Sequence, residues 1–167
     1  MREEYLHFIW RFKRFNHQDL ITSTGEKVEI VHPGYLNHHG GPDFSQAHLI
    51  IDGIQWHGPV EIHIQSTDWT KHKHNFDVAY DHVALHVVFE NDGDVKTSKG
   101  RILPVFELKD RIDEAHLKSF QNQLPVHLPI PCGVHLNQID DFMIRSWVHR
   151  MAIDRLEEKW EAFNVIL

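Results

Sequence analysis

The dipeptide Asp52-Gly53 constrains the fold of this chain more than any other feature. Aspartate then glycine between two apolar runs is the strongest short-range signal of a two-residue β-hairpin, because both turn residues must take positive φ. It predicts a strand over Ala47 to Ile51 that returns as a longer strand from Ile54 to about Gln65. The returning strand is expected to bend at Gly58-Pro59, since proline cannot donate to a central ladder. Alternation then sends Val60, Ile62 and Ile64 one way and Glu61, His63 and Gln65 the other. A last strand, Val83 to Phe89, divides likewise, with Ala84, His86, Val88 and Glu90 opposed to Val83, Leu85, Val87 and Phe89. Two polar ridges can therefore share one face of a sheet.

The remaining segments fit around this hairpin. Tyr5, Phe8, Ile9 and Phe12 recur at helical spacing and predict an amphipathic helix from Glu3 to about Phe15, with Arg2, Arg11, Lys13 and Arg14 as a basic outer edge. Gly25-Glu26-Lys27 reads as a turn, Val28 to Val31 as a short strand stopped by Pro33-Gly34, and Tyr35 to Phe44, with Gly40, Gly41 and Pro42, as a loop. After the turn Asn91 to Asp94, Ile102 to Leu108 reads as an apolar strand interrupted by Glu107. Asp110 is the expected N-cap of a helix from about Arg111 to Gln123, with Ile112, His116 and Phe120 on one side. The three prolines between Leu124 and Cys132 imply an extended segment, and Ile144, Trp147, Val148 and Met151 mark a long helix from about Ile139 to the end. The expectation is one α/β domain with a central mixed β-sheet flanked by helices: a core over 1–132, then a C-terminal helical segment over 133–167 without a glycine or proline stop.

Composition narrows the function. With 17 basic against 24 acidic residues, the net charge of -7 argues against non-specific nucleic-acid binding over a whole surface, though not against a local patch. The single cysteine, Cys132, rules out an intrachain disulfide and a four-cysteine zinc module, and points to a reducing cytoplasm. No stretch approaches the roughly 20 apolar residues of a membrane span, and the first residues lack the pattern of a signal peptide, so no membrane partner is expected. Sixteen histidines is a high count, and more than half fall between His32 and His86.

Two chemistries follow from that segment. Asp43 enters the hairpin and Glu61 lies on its returning strand, so the turn can bring the two carboxylates together as a hard-oxygen site for magnesium or manganese. His63, two residues after Glu61, shares its side and can ligate, donate a proton or stabilise an anion. The alternative is a zinc site from His63, His72, His74 and His86, with Asp68 or Asp81 as a further candidate ligand; His72 and His74 share a face there only if their segment is extended. Lys71 and Lys73, with His72 and His74, are the candidates for contacting a substrate phosphate. Plainer roles stand beside each of these. Asp43 can simply close its turn, Glu61 and His63 can be a solvated strand face, His86 a core histidine, Asp68-Trp69 a helix cap with a packed indole, and the lysines ordinary surface. His38-His39 reads as loop, and Cys132 as packing rather than a nucleophile.

The order helix, hairpin strands, Pro42-Asp43, then Glu61-Ile62-His63 on the next strand resembles the core of the PD-(D/E)xK nuclease superfamily, with His63 where that family has lysine. The resemblance implies a restriction-endonuclease-like α-β-β-β-α-β core and metal-dependent cleavage of DNA or RNA, with Asp43 and Glu61 as metal ligands. A non-catalytic nucleic-acid-binding domain on the same shell, or a histidine-rich zinc hydrolase, are the alternatives. Histidine departs from the pattern in carrying no fixed positive charge at neutral pH. A second resemblance covers nearly the whole chain. Val28 to Gly34, Gly41 to Phe44, Val60 to His63, Ser66 to Trp69, His72 to His74, Tyr80-Asp81, Leu85 to Val88 and Ile130 to Cys132 resemble the uncharacterised bacterial family known as domain of unknown function 2851. That resemblance implies relatives with a longer C-terminus and carries no mechanism.

Overall fold

The hairpin forms as expected in the computed structural model, which describes residues 1–113, 115, 118 and 138–164. Asp52 and Gly53 take φ of 48° and 79°, the positive pair that matches the twist of the flanking strands. In chain order the elements are α1 (Glu3–Arg11), β1 (Val28–His32), β2 (Tyr35–Leu36), β3 (Phe44–Ile51), β4 (Ile54–Gln65), α2 (Asp68–Lys71), β5 (Leu85–Glu90), β6 (Val105–Glu107) and α3 (Asp141–Asn164), with short 3₁₀ turns at His74–Phe76, Val78–Tyr80 and Lys109–Arg111. The sheet runs β1-β3-β4-β5-β6, and β2 also pairs with β3. Strands β1, β3 and β4 are antiparallel; β4, β5 and β6 are parallel, so the segment from Ser66 to Ala84 must cross over the sheet between β4 and β5. The architecture is thus mixed α/β around a mixed sheet.

Each face of β4 has its own core. Tyr5, Leu6, Ile9 and Trp10 of α1 cover one face, packing with Leu49, Val60, Ile62 and Val87. Trp69, Tyr80, Val83, Val88, Val95, Leu103 and Val105 form a second cluster on the other. Each fully buried aliphatic side chain contributes about 1.5–3 kcal/mol relative to exposure.

Several boundaries differ from expectation. Helix α1 ends at Arg11, four residues early, and its buried stripe is rotated: Leu6 and Trp10 are sealed while Phe8 and Phe12 stay exposed. The Trp10 indole decides the rotation by donating from Nε1 to the Pro33 carbonyl at 2.9 Å. Tyr35 to Phe44 is not loop throughout, because Tyr35 and Leu36 pair with Ser45 and Phe44. Gly34 permits this re-entry: it takes φ of 93°, and a Cβ there would lie 2.6 Å from the Ser45 carbonyl oxygen. Strand β3 begins three residues early at Phe44, absorbing a bulge in which Gln46 takes φ of 54°. Strand β6 is shorter than expected, with Ile102 making only an isolated bridge to Lys96. Asp110 lies inside a 3₁₀ turn rather than capping a helix; Asp113 instead accepts from the Ala115 N–H at 2.8 Å. The remainder of the expected 111–123 helix, apart from residues 115 and 118, and the 124–132 segment with Cys132 lie outside the described residues.

The chain divides into two compact units, Met1–Gln121 and Asn122–Leu167. The second contains the long helix α3, capped by the Asp140 carboxylate accepting from the Phe142 N–H at 2.8 Å. Among the described residues, no helix is long and apolar enough to cross a membrane.

Candidate metal centre

The site begins at the turn before β3. Asn37 fixes that turn, donating from Nδ2 to the Pro42 carbonyl at 3.0 Å, while its backbone N–H reaches the Asp43 carbonyl at 2.7 Å. Asp43 and Glu61 then interlock. The Asp43 N–H donates to Glu61 Oε2 at 3.0 Å, and the Ile62 N–H donates to Asp43 Oδ2 at 2.9 Å. The hairpin therefore brings these two acids together, as the sequence predicts.

Glu61 turns its other oxygen toward imidazoles. Oε1 lies 3.3 Å from His74 Nε2 and 3.6 Å from His63 Nε2, and His63 Nε2 lies 3.0 Å from His72 Nδ1. One nitrogen from each of His63, His72 and His74 falls within 4.8 Å of the others. Strand alternation supplies Glu61 and His63, and the crossover supplies His72 and His74. That crossover is anchored at its start: Ser66 and Thr67 donate hydroxyl protons to the two Asp92 carboxylate oxygens at 2.9 and 2.7 Å. The segment is not extended. His72 closes the single turn of α2, Lys73 takes a left-handed φ of 65°, and His74 opens the next turn. A left-handed non-glycine residue is costly and persists only where its surroundings hold it. Here it aims both imidazoles at one point.

His86 belongs behind the cluster rather than in it. Glu61 is paired with His86 across β4 and β5, which sets the His86 ring beside His63, with His63 Nδ1 and His86 Nε2 2.8 Å apart. When neutral His63 offers its Nε2 lone pair, its proton sits on Nδ1 and His86 Nε2 accepts it, so His86 fixes the tautomer of His63. Tyr80 stacks on His74 with ring centroids 3.8 Å apart, and Trp69 abuts both His74 and His86.

Burial dominates the electrostatics. Glu61, His63 and His86 are 4%, 1% and 0% exposed, which removes the solvated-face reading of the ridge. Burial, reinforced by neighbouring His86, His72 and His74, pushes the His63 pKa down to about 2. Burial, then His74, takes His86 down to about 3, against the opposing pull of Asp68. Both rings are neutral, the form in which imidazole binds metal. Burial also raises Glu61, helped by Asp43 and opposed by the His74 hydrogen bond. Tyr80 is pushed up to about 12 by burial, Glu61 and Asp43.

Other candidates fall elsewhere. Lys71 is held by Asp68 Oδ1 at 2.7 Å and Gln65 Oε1 at 3.2 Å, and Asp68 Oδ2 accepts from the Gln65 N–H at 3.0 Å, so Asp68 organises the turn and not the cluster. Lys73 is the exposed left-handed residue between the two histidines. Asp81 accepts from the Ser98 N–H and hydroxyl at 3.1 and 2.8 Å, away from the imidazoles. His7 is the residue sequence reasoning missed: its Nε2 lies 3.2 Å from Asp43 Oδ2. Burial lowers its pKa, yet the hydrogen bond and charge of Asp43, with Glu3 and Glu61, outweigh that and raise it overall. Glu3 also interacts with His72, Asp43 and His7. The spacing Glu3-x-x-x-His7 on one helix face was the available signal.

Residues 3–167 match the family model described as Protein of unknown function (DUF2851). The chain belongs to this family. The match takes in every residue of the cluster, so the imidazoles and Glu61 lie within the DUF2851 domain itself. No curated protein and no solved structure matches the chain.

Proposed function

We propose that this DUF2851 protein is a metal-dependent phosphodiester hydrolase acting on DNA or RNA. The observation that carries the reading is the convergence of His63 Nε2, His72 Nδ1 and His74 Nε2 beside Glu61 Oε1. Three imidazoles and a carboxylate fit zinc or iron better than magnesium or manganese, which prefer oxygen ligands. When bound, such an ion supplies Lewis acidity and an acidified water. The chain's own residues do the rest. His86 holds His63 in its ligating tautomer, and the Asp43 and Ile62 amides fix the carboxylates of Glu61 and Asp43. His7, oriented by Asp43, is set to accept or return a proton at the rim.

The phosphodiester substrate is supported by the order of elements. We read the order helix α1, meander β1-β3-β4, crossover and parallel β5, with Asp43 entering β3 and Glu61-Ile62-His63 on β4, as a variant of the restriction-endonuclease-like core in which one helical turn and two 3₁₀ turns stand in the crossover. His63 occupies the lysine position but is buried and neutral, so a ligand role replaces that of a fixed cation. The same donor set serves a zinc hydrolase acting on a small molecule, a reading favoured by the net charge of -7.

The test joins elemental analysis of the purified chain to cleavage of single- and double-stranded DNA and RNA and a small chromogenic phosphodiester, with zinc, manganese, magnesium or chelator. Expected are near-stoichiometric metal, lost on His72→Ala plus His74→Ala, and metal-dependent cleavage that Glu61→Gln abolishes. Failure to take up any of these metals, or undiminished cleavage by Glu61→Gln, overturns the proposal. Cleavage of the small diester alone supports the second reading.

A further inference from the structure

A groove of about 590 Å³ lies on the same side of the sheet as the metal centre, lined by His32, Tyr35, Gln46, His57, Gly58 and Pro59. His57 and Glu61 are four residues apart on β4 and so point the same way, about 13 Å apart at roughly 3.3 Å per strand residue. The groove is faced with rings. His32, His48 and His57 form one row across β1, β3 and β4, paired in register. The His48 and His57 rings stack, with centroids 4.1 Å apart and planes 22° from parallel. His32 and Tyr35 are 5.0 Å apart, and Tyr35 is 62% exposed.

Near-parallel rings do not aim two lone pairs at one ion, so the His48–His57 pair is not a chelate in this arrangement. His57 is exposed and lines the groove together with Tyr35. Among the described residues, no lysine or arginine lines the groove, so it does not bind phosphate by charge. Its polar groups both donate and accept: the Gln46 amide, the Tyr35 hydroxyl, and His32, whose Nδ1 accepts from the Gly34 N–H at 3.0 Å and leaves Nε2–H to donate. π-Faces with donors and acceptors suit a nucleobase, whose ring stacks on any aromatic face and whose edge takes hydrogen bonds.

We propose that this groove is a stacking subsite for an unpaired nucleobase flanking the scissile phosphate, which makes the substrate a single-stranded nucleic acid; the proposal rests on the phosphodiesterase reading above. A paired base has no free face to offer, so the groove selects single strands over duplex. Tyr35 and His57 clamp the base while the metal centre, farther along β4, receives the backbone.

The test is binding of the full chain to fluorescein-labelled single-stranded DNA and RNA, read by anisotropy, with turnover stopped by Glu61→Gln or by chelator. An abasic oligonucleotide, lacking the bases near its centre, is the control. Tyr35→Ala and His57→Ala are each expected to raise Kd for the intact strand about tenfold, the scale of one lost stack, and His57→Phe to restore it. The abasic strand is expected to bind weakly to all forms. Equal affinity for intact and abasic strands, no response to Tyr35→Ala, or no detectable binding under either condition overturns the subsite. The two proposals fail separately. Base-dependent binding without cleavage removes the hydrolase and leaves the groove; cleavage with base-independent KM removes the groove and leaves the hydrolase.

Discussion

Ile62 and His63 are neighbours on β4, each 1% exposed, yet they are buried for opposite reasons. Ile62 faces α1, where apolar area removed from water stabilises the fold. His63 faces the crossover, where a neutral ring recovers in hydrogen bonds part of what it loses in hydration. Equal burial therefore does not mean equal contribution. One face of the strand holds the domain together, and the other keeps polar groups in an arrangement that the rest of the fold must support.

Acid should separate the faces most strongly. His63 and His86 have folded-state pKa values depressed to about 2 and about 3. Above the unfolded value near 6.5, both states are neutral and neither histidine contributes a pH dependence. As pH falls below it, the unfolded chain takes up protons that the native site refuses, so stability is lost at about 1.4 kcal/mol per pH unit for each group. The raised pKa of Glu61 acts in the opposite sense, because the native state protonates first and recovers a part at low pH. Urea unfolding between neutral pH and the acid limb should show the steep loss, and His86→Leu should reduce its slope by about half. A pH-independent midpoint over that range would mean that the histidines are not buried as neutral rings.

The apolar face should respond to truncation instead. Ile62→Ala should cost about 2–5 kcal/mol by chemical denaturation, while leaving metal affinity within a small factor. Loss of metal with little change in stability would reverse the assignment of the two faces.

Metal sharpens the comparison from the other side. On the proposed metal reading, zinc at a hundred times its Kd should stabilise the chain by about 2.7 kcal/mol by binding the folded state alone. Ile62→Ala should show the same increment, whereas His72→Ala plus His74→Ala should show none. His72 is exposed, so removing it tests ligation with little disturbance of packing.

These faces differ too in how far they are legible in the sequence. The hairpin is local: Asp52-Gly53 dictates its turn, and alternation then commits Glu61 and His63 to one side, whatever the rest of the chain does. Parallel pairing with β5 adds His86 by the same parity. The contribution of α1 is not local. His7 reaches Asp43 only because Leu6 and Trp10, rather than Phe8 and Phe12, turn toward the sheet, and that choice depends on the Pro33 carbonyl. The re-entry of Tyr35 and Leu36 is hidden for a similar reason: Gly34 looks like a stop until Ser45 is known to press against it.

Lys73 is the residue no local rule identifies, and the smallest effect is expected there. Its left-handed backbone turns His72 and His74 toward His63, in place of the extended run that their spacing demands. Lysine is strained in that region and glycine is not, so Lys73→Gly should relieve up to about 1 kcal/mol, partly offset by the greater freedom of glycine in the unfolded chain. A thermal melt without metal should therefore show a small gain or no change, and metal affinity should hold, because the same φ is kept at lower cost. Lys73→Val should do the reverse, since a β-branched residue resists positive φ; it should weaken metal binding without touching a ligand. Equal metal affinity in the glycine and valine forms would show that the two histidines reach the site without the left-handed turn, and that the polar face is held by the ligands alone.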